Sequence, residues 1–353
     1  MSEKRWSSDG ARGQTATAGI PGTPETGTPS TGLPVLEARN LIKEYPAPGG
    51  RTLMACHDVS LTLCAGRTLG IVGESGCGKS TFMRMAVGLE KPTSGEIIFD
   101  GQDLAKLRGG ELRRVRRHIQ MVFQDPTAAF DPKMKVRDII CEPLESYGLI
   151  RRRDRDAAAR RYLEMVELPA EFADRFPHQL SGGQRQRVGI ARALTLEPEI
   201  IMCDEATSAL DVSVQAAVID LLVRLQREKN ISICFIGHDL ALVQSFAHEV
   251  AVMYLGHIVE ILPGAAVAHE AAHPYTKALL GAVFDPGMDF SKKIESIEGE
   301  APSPLDAPRG CPFRDRCSCA MEICASEHPH LTETAPGHQV ACHMFAAAEN
   351  VKK

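Results

Sequence analysis

The sequence predicts an α/β fold, and three observations carry that prediction. Two strand-sized apolar runs, at 200–203 and 231–236, flank a helical stretch at 212–228, which is the strand–helix–strand order of a parallel sheet. A further apolar run at 69–72 leads into a glycine-rich loop and then an amphipathic stretch at 82–89. Residues 35–45, 51–63 and 96–99 read as short strands around the Pro/Gly turn at 46–50, so a mostly β region should wrap around that loop.

Taken in chain order, residues 1–32 are rich in Gly, Thr, Ser, Pro and Ala, bury too little apolar surface to order themselves, and are expected to be disordered. The loop that follows 69–72 reads Gly73, Glu74, Ser75, Gly76, Cys77, Gly78, Lys79, Ser80, Thr81 and satisfies G-x-x-x-x-G-K-[ST]. The glycines let successive backbone N–H groups curl around phosphate oxygens. Lys79 can reach the β/γ-phosphates, the Ser80 hydroxyl can complete a Mg²⁺ shell, and the helix beginning near Lys79 adds its positive end. Cys77 is expected near solvent, with a thiol acidified by that helix end and by Lys79. Between about 102 and 195 apolar residues fall on helical spacing, notably at 155–168 and 184–196, and predict a helical insertion. The run at 200–203 ends in Asp204 and Glu205. Two carboxylates at the carboxyl end of a buried strand stand where open α/β sheets bind ligands: Asp204 can hold Mg²⁺, and Glu205 can polarise a water. Past Gly256 the pattern becomes irregular, punctuated by Pro, Gly and His, and there is no internal repeat.

Composition narrows the function classes. A net charge of −5 provides no basic field for nucleic acid, and Arg113, Arg114, Arg116 and Arg117, like Arg151–Arg153, read as solvated local clusters. No run approaches the ~18 apolar residues of a membrane span, and the N-terminus lacks a secretory apolar core, so a cytoplasmic location is expected. Of the 11 cysteines, Cys311, Cys317, Cys319, Cys324 and Cys342 crowd the end of the chain. In a reducing compartment such a group points to metal rather than disulfides.

The stretch 180–192, with Ser181, Gly182, Gly183 and Gln184, resembles the signature sequence of ABC-transporter ATPases. The other landmarks follow in order: Tyr45 matches the adenine-stacking aromatic, Gln124 the Q-loop glutamine, Ser208 to Asp211 the D-loop, and His238 the switch histidine. The resemblance spans about residues 35–260. It implies a P-loop NTPase fold of ABC type with an antiparallel β subdomain, the ATPase domain at 33–260, a helical subdomain at about 125–195, and an irregular cysteine-containing tail at 261–353. It also implies ATP and Mg²⁺ as cofactors, with Ser80, Gln124 and Asp204 on the metal, Glu205 as catalytic carboxylate, and His238 touching both the γ-phosphate and Glu205. Ser181–Gln184 and Asp211 then serve the ATP of a second ATPase subunit, identical or a paralogue, in a head-to-tail dimer. ATP hydrolysis lets the halves separate.

The residues 123–126, Phe130 to Met134, 136–140 and the Glu142–Pro143 pair are similar to the ATPases of oligopeptide and dipeptide permeases, as is the tail. That subfamily also includes nickel and other small-solute systems; non-transport ABC ATPases form the alternative from another class. The resemblance implies two integral membrane permease subunits, an extracytoplasmic solute-binding protein acting indirectly, a peripheral position on the cytoplasmic face of the membrane, and no nucleic acid. Its four tail cysteines correspond to Cys311, Cys317, Cys324 and Cys342, with Cys319 left over. Four thiolates suit a tetrahedral Zn²⁺ or an iron–sulfur cluster, and the resemblance favours [4Fe–4S]; because the spacings are wider than the compact C-x2-C pattern, ordinary thiols without a metal are the remaining alternative.

Overall fold

The structure, a computed structural model, describes residues 32–281, 302, 303, 305 and 309–346. The expectation of disorder at 1–32 therefore lies outside the described residues, Gly32 apart. The strands are β1 (Pro34–Ala47), β2 (Arg51–Cys64), β3 (Thr68–Val72), β4 (Ser94–Phe99), β5 (Gln102–Asp103), β6 (Ile119–Val122), β7 (Ile200–Asp204), β8 (Ser232–Gly237), β9 (Glu249–Tyr254), β10 (His257–Pro263), β11 (Thr332–Ala335) and β12 (His338–Val340). The helices are α1 (Lys79–Ala86), α2 (Gly109–His118), α3 (Val136–Ser146), α4 (Arg155–Met165), α5 (Gly182–Leu194), α6 (Val212–Lys229), α7 (Leu240–Gln244), α8 (Val267–Glu270), α9 (Pro274–Gly281) and α10 (His343–Ala346).

One sheet, in the order β2-β1-β4-β5, is antiparallel throughout, as the resemblance implied. The other runs β11-β12-β10-β9-β3-β8-β7-β6, parallel from β9 to β6 and antiparallel beyond β9. Its central strands are apolar on both faces because both faces are covered. On β7, Ile201 and Cys203 face the core under the helices, while Ile200 and Met202 face the core shared with the antiparallel sheet. The same alternation places Ile233 and Phe235 of β8 on the first side and Cys234 and Ile236 on the second.

Register brings the reactive ends to one edge. Val122 pairs with Cys203, Asp204 with Ile236, and Val72 with Gly237, so residues just past β3, β6, β7 and β8 emerge side by side. The expected helical insertion is present as α3, α4 and α5, packed through Ile139, Ile140, Leu163 and Val188. Within 102–195, however, β6 is a strand: its four residues pair in parallel with β7.

The tail supplies β11 and β12, which extend the large sheet beyond β10. Glu260 of β10, fully buried, fixes that junction: its carboxylate accepts hydrogen bonds from the Ala272 N–H at 2.7 Å and the His273 N–H at 3.2 Å, and pairs with His338 Nε2 at 2.7 Å. Three partners make an otherwise costly buried carboxylate tolerable. Among the described residues, no helix is long and apolar enough to cross a membrane.

Candidate nucleotide site

The loop between β3 and α1 takes its shape from the glycines. Gly73 and Gly78 have φ of 156° and 111°. A Cβ on the first would collide with the Met253 carbonyl of β9, and one on the second with the Ala55 carbonyl of β2. Only glycine fits there. Lys79, 4% exposed, turns its ammonium back onto the loop and donates to the carbonyls of Gly73 at 2.7 Å and Glu74 at 2.8 Å. Ser75 and Gly76 lie exposed at the loop's tip, and Thr81 is half-buried in the first turn of α1.

Cys77 departs from expectation. It is 4% exposed and packs into the core beneath the antiparallel sheet, and burial pushes its thiol up despite the opposing pull of Lys79. The anticipated acidic, solvent-facing thiol is therefore not what this loop holds: desolvation outweighs the neighbouring cation.

The Ser80 hydroxyl donates to Asp204 Oδ1 at 3.0 Å, joining α1 to the end of β7. Burial pushes the Asp204 carboxyl up, the Ser80 hydrogen bond pulls it back, and the neighbouring Glu205 carboxylate adds to the rise. A hydroxyl and a partly desolvated carboxylate beside a second carboxylate form the oxygen donor set a Mg²⁺ ion takes, and its charge would relieve their crowding. Glu205 follows with φ 45°, and its N–H donates to the Ile236 carbonyl at 3.1 Å. This left-handed turn separates the two acids. Asp204 meets Ser80, while Glu205 Oε2 accepts from Gln124 Nε2 at 3.0 Å. Gln124 Nε2 also lies 3.1 Å from the Ser208 hydroxyl, which donates to the Glu205 carbonyl at 3.0 Å.

His238, just past β8, is exposed and makes no hydrogen bond among the described residues, so the expected contact with Glu205 is not part of this arrangement. Tyr45 is half-buried on β1. Its hydroxyl donates to Glu90, and the Lys43 ammonium lies 4.9 Å from its ring centroid.

Two family models match the chain: the ABC transporter model over residues 56–208, and the oligopeptide/dipeptide transporter C-terminal region over residues 259–324. The oligopeptide transport ATP-binding protein OppF of Salmonella typhimurium is 50% identical over 296 residues, covering 83% of this chain and 88% of that protein. AppF of Bacillus subtilis, also named an oligopeptide transport ATP-binding protein, is 46% identical over 321 residues, 88% of this chain and 98% of its own. This chain belongs to the ATP-binding proteins of ABC transporters. Its C-terminal match places it in the oligopeptide/dipeptide branch of that family. Among solved structures, the dimeric post-hydrolysis ATP-binding cassette MJ0796 bound to ADP and Pi aligns with a TM-score of 0.59 and 32% identity, over 65% of this chain and 98% of that one.

The family's signature loop here opens α5. Ser181 Oγ accepts from the Gln184 N–H at 3.3 Å, and Gln184 Oε1 accepts from the Ser181 N–H at 3.0 Å, a reciprocal cap. The hydroxyl hydrogen remains able to donate to an anion. Gly182 is half-buried beside Leu210, and a Cβ on Gly183 would collide with Val214 of α6, so that glycine also permits close helix packing. Asp211, expected from the resemblance to be the D-loop aspartate, is exposed at the start of α6 beside Val212, which is 82% exposed.

In the tail of this ABC cassette, Cys311 and Cys324 are buried, Cys317 and Cys342 half-buried and Cys319 exposed, all as free thiols. Burial pushes Cys311 up to about 11, and the nearby sulfurs of Cys324, Cys342 and Cys317 add to the rise. The four predicted ligands thus share one neighbourhood. As they stand, no three His, Cys, Asp or Glu side chains among the described residues are arranged to hold a metal ion. Sequence reasoning missed Arg316 and Tyr275, both of which grip Glu74 of the phosphate loop. They lie 242 and 201 positions away, and no local pattern marks them.

Proposed function

We propose that this chain is the subunit that binds and hydrolyses ATP to drive import of di- and oligopeptides through two integral membrane permease subunits, lying on the cytoplasmic face of the membrane. The observation that carries this reading is the convergence of two hydrogen-bonded pairs, Ser80–Asp204 and Gln124–Glu205, beside Lys79 at one edge of the parallel sheet. In this reading the N–H groups of residues 74–81 and the Lys79 ammonium bind the phosphates, and Tyr45 stacks on adenine. Ser80, Asp204 and Gln124 hold Mg²⁺, which when bound neutralises charge on the β- and γ-phosphates. Glu205 polarises the attacking water, and His238 swings in to hold the γ-phosphate.

Ser181–Gln184 and Asp211 face the ATP of a second ATPase subunit. The exposed Val212 and the dimeric state of the MJ0796 cassette support a head-to-tail pair. Peptide as cargo rests on the C-terminal family match and on relatives named for oligopeptide transport. A groove of about 300 Å³ lined by Leu89, Phe123, Phe130, Pro143 and Tyr147 separates the helical insertion from the core. Phe123 adjoins Gln124, so a cytoplasmic segment of the permease seated there would sense the nucleotide through that glutamine. Cys311, Cys317, Cys324 and Cys342 are the proposed holders of a [4Fe–4S] cluster that staples the tail, with Zn²⁺ the alternative.

The test is reconstitution with the permease subunits in proteoliposomes containing ATP. Uptake of radiolabelled peptide that requires hydrolysable ATP is the expected result. MgATP hydrolysis without peptide uptake would remove peptide from the reading. Loss of both would remove the ATPase assignment.

A further inference from the structure

Glu74, the first variable residue of the phosphate loop, is held at every polar group. Its N–H donates to the Tyr275 hydroxyl at 2.9 Å, its carbonyl accepts from Lys79 at 2.8 Å, and its carboxylate accepts from both Arg316 Nη1 at 2.9 Å and Nη2 at 3.0 Å. Two of these three partners come from outside the nucleotide motifs. Tyr275 stands on α9, and Arg316 belongs to the cysteine-bearing segment, one residue before Cys317.

The Arg316 side chain is only 8% exposed. Its Nη1 also reaches the Tyr254 hydroxyl at 3.3 Å, and Phe313 of the same segment packs on Tyr254 and Tyr275 with ring centroids 5.2 and 5.3 Å apart. The segment is thereby seated firmly enough to hold the guanidinium in a fixed fork.

Two physical consequences follow from this arrangement. A loop that must receive a polyphosphate carries a carboxylate, and an unneutralised like charge in a partly buried loop weakens anion binding by about tenfold or more. Moreover, whatever share of the Lys79 ammonium goes to phosphate comes off the Gly73 and Glu74 carbonyls. Tyr275, Arg316 and the Cys77 N–H, which donates to the Glu74 carbonyl at 3.3 Å, then remain as the fixings of Glu74, and only the first two come from outside the loop.

We propose that Arg316 is a positioning residue for nucleotide binding: by neutralising and anchoring Glu74 it sets the affinity of the phosphate loop for MgATP, and it makes the cysteine segment part of the nucleotide site. The inference rests on the ATP reading above and goes beyond it.

Equilibrium binding of MgATP to the full-length protein tests both, in order. Failure of the wild type to bind would sink the ATP reading itself. Given wild-type binding, Arg316→Ala raises Kd at least about tenfold, and Arg316→Lys raises it less, because the charge stays while the fork is lost. The deciding variant is Glu74→Gln on the Arg316→Ala background. It recovers most of the lost affinity, because the offending carboxylate is gone even though the ion pair remains broken. If Arg316 were only a structural strut, the double variant would bind as weakly as the single one, and that result overturns the proposal. Wild-type affinity in Arg316→Ala overturns it as well. Should circular dichroism show that Arg316→Ala does not fold, Arg316→Gln, shorter than arginine and uncharged but with an amide donor and more packing than alanine, replaces it in the same comparison.

Discussion

Glu205 sits in a left-handed backbone conformation that few side chains other than glycine adopt, and this turn directs neighbouring acids to different partners. Asp204 meets the Ser80 hydroxyl and Glu205 meets Gln124, and in the proposed function the first serves a metal ion and the second a water. Glu205→Gln keeps the shape and loses the negative charge. It should therefore retain MgATP binding while turnover falls by at least about a hundredfold. Lys79→Ala should instead weaken nucleotide binding, since it deletes the cation at the phosphates. Parallel measurement of Kd and steady-state hydrolysis checks the pair, and wild-type turnover in Glu205→Gln would remove that residue from the chemistry. Cys77 gives a second prediction at this scale. Its thiol is buried and pushed up, whereas Cys319 is exposed. Iodoacetamide at pH 7.5 should modify Cys319 well before Cys77 in native protein, followed by peptide mass spectrometry. Equal rates would show that the phosphate loop opens readily.

Among the elements, β10 holds the most consequential buried charge. Glu260→Ala would strand the Ala272 and His273 N–H groups and His338, three partners from two other segments. The expected loss is about 3–5 kcal/mol, read as a lower urea midpoint, with the tail the first part to gain hydrogen exchange. An unchanged midpoint would show that β12 docks without this carboxylate. Glu260 also explains why β10 is hard to read from sequence. A glutamate inside an apolar run argues against a buried strand, and the donors that satisfy it come from residues up to 78 positions away. β6 escaped for a different reason: four residues directly after the basic helix α2 carry too little pattern to register as a strand. By contrast, β3, β7 and β8 were legible because a strand buried on both faces is a nearly unbroken apolar run. The nucleotide motifs were legible because phosphate chemistry fixes residue types at fixed spacing. The grip of Arg316 on Glu74 has no such signature, since a long-range ion pair leaves each partner looking like an ordinary surface charge.

For the molecule as a whole, one buried and three half-buried histidines weaken the fold in acid. Burial pushes His257 down to about 2 and His273 down to about 3, and it pushes His248 and His328 down to about 4. His257 also lies between His57 and His328, with ring centroids 4.6 and 4.3 Å away, so a proton on one would repel a proton on the next. The unfolded chain takes up these protons below about pH 6.5, whereas the folded chain does not until its own lower values. Stability from this source is therefore complete above about pH 6.5 and drains as the pH falls, by about 1.4 kcal/mol per pH unit for each fully buried histidine. His273 alone, 1% exposed, would cost about 2 kcal/mol at pH 5, and the half-buried His257, His248 and His328 add to that cost. Asp204 and Glu249, whose carboxyls burial pushes up, act in the opposite sense, because acid relieves their desolvation. Two carboxyls do not cancel four histidines, so Tm should fall between pH 7 and pH 5, by about 5 °C. His257→Phe keeps an aromatic ring in the stack and removes one titrating group. Its Tm should therefore decline less steeply over the same interval, and scanning calorimetry of both proteins across that range makes the comparison. A wild-type Tm that holds level or rises toward pH 5 would mean that these imidazoles take up protons in the folded state, and that the packing of the tail against β2 and β10 accommodates the charge.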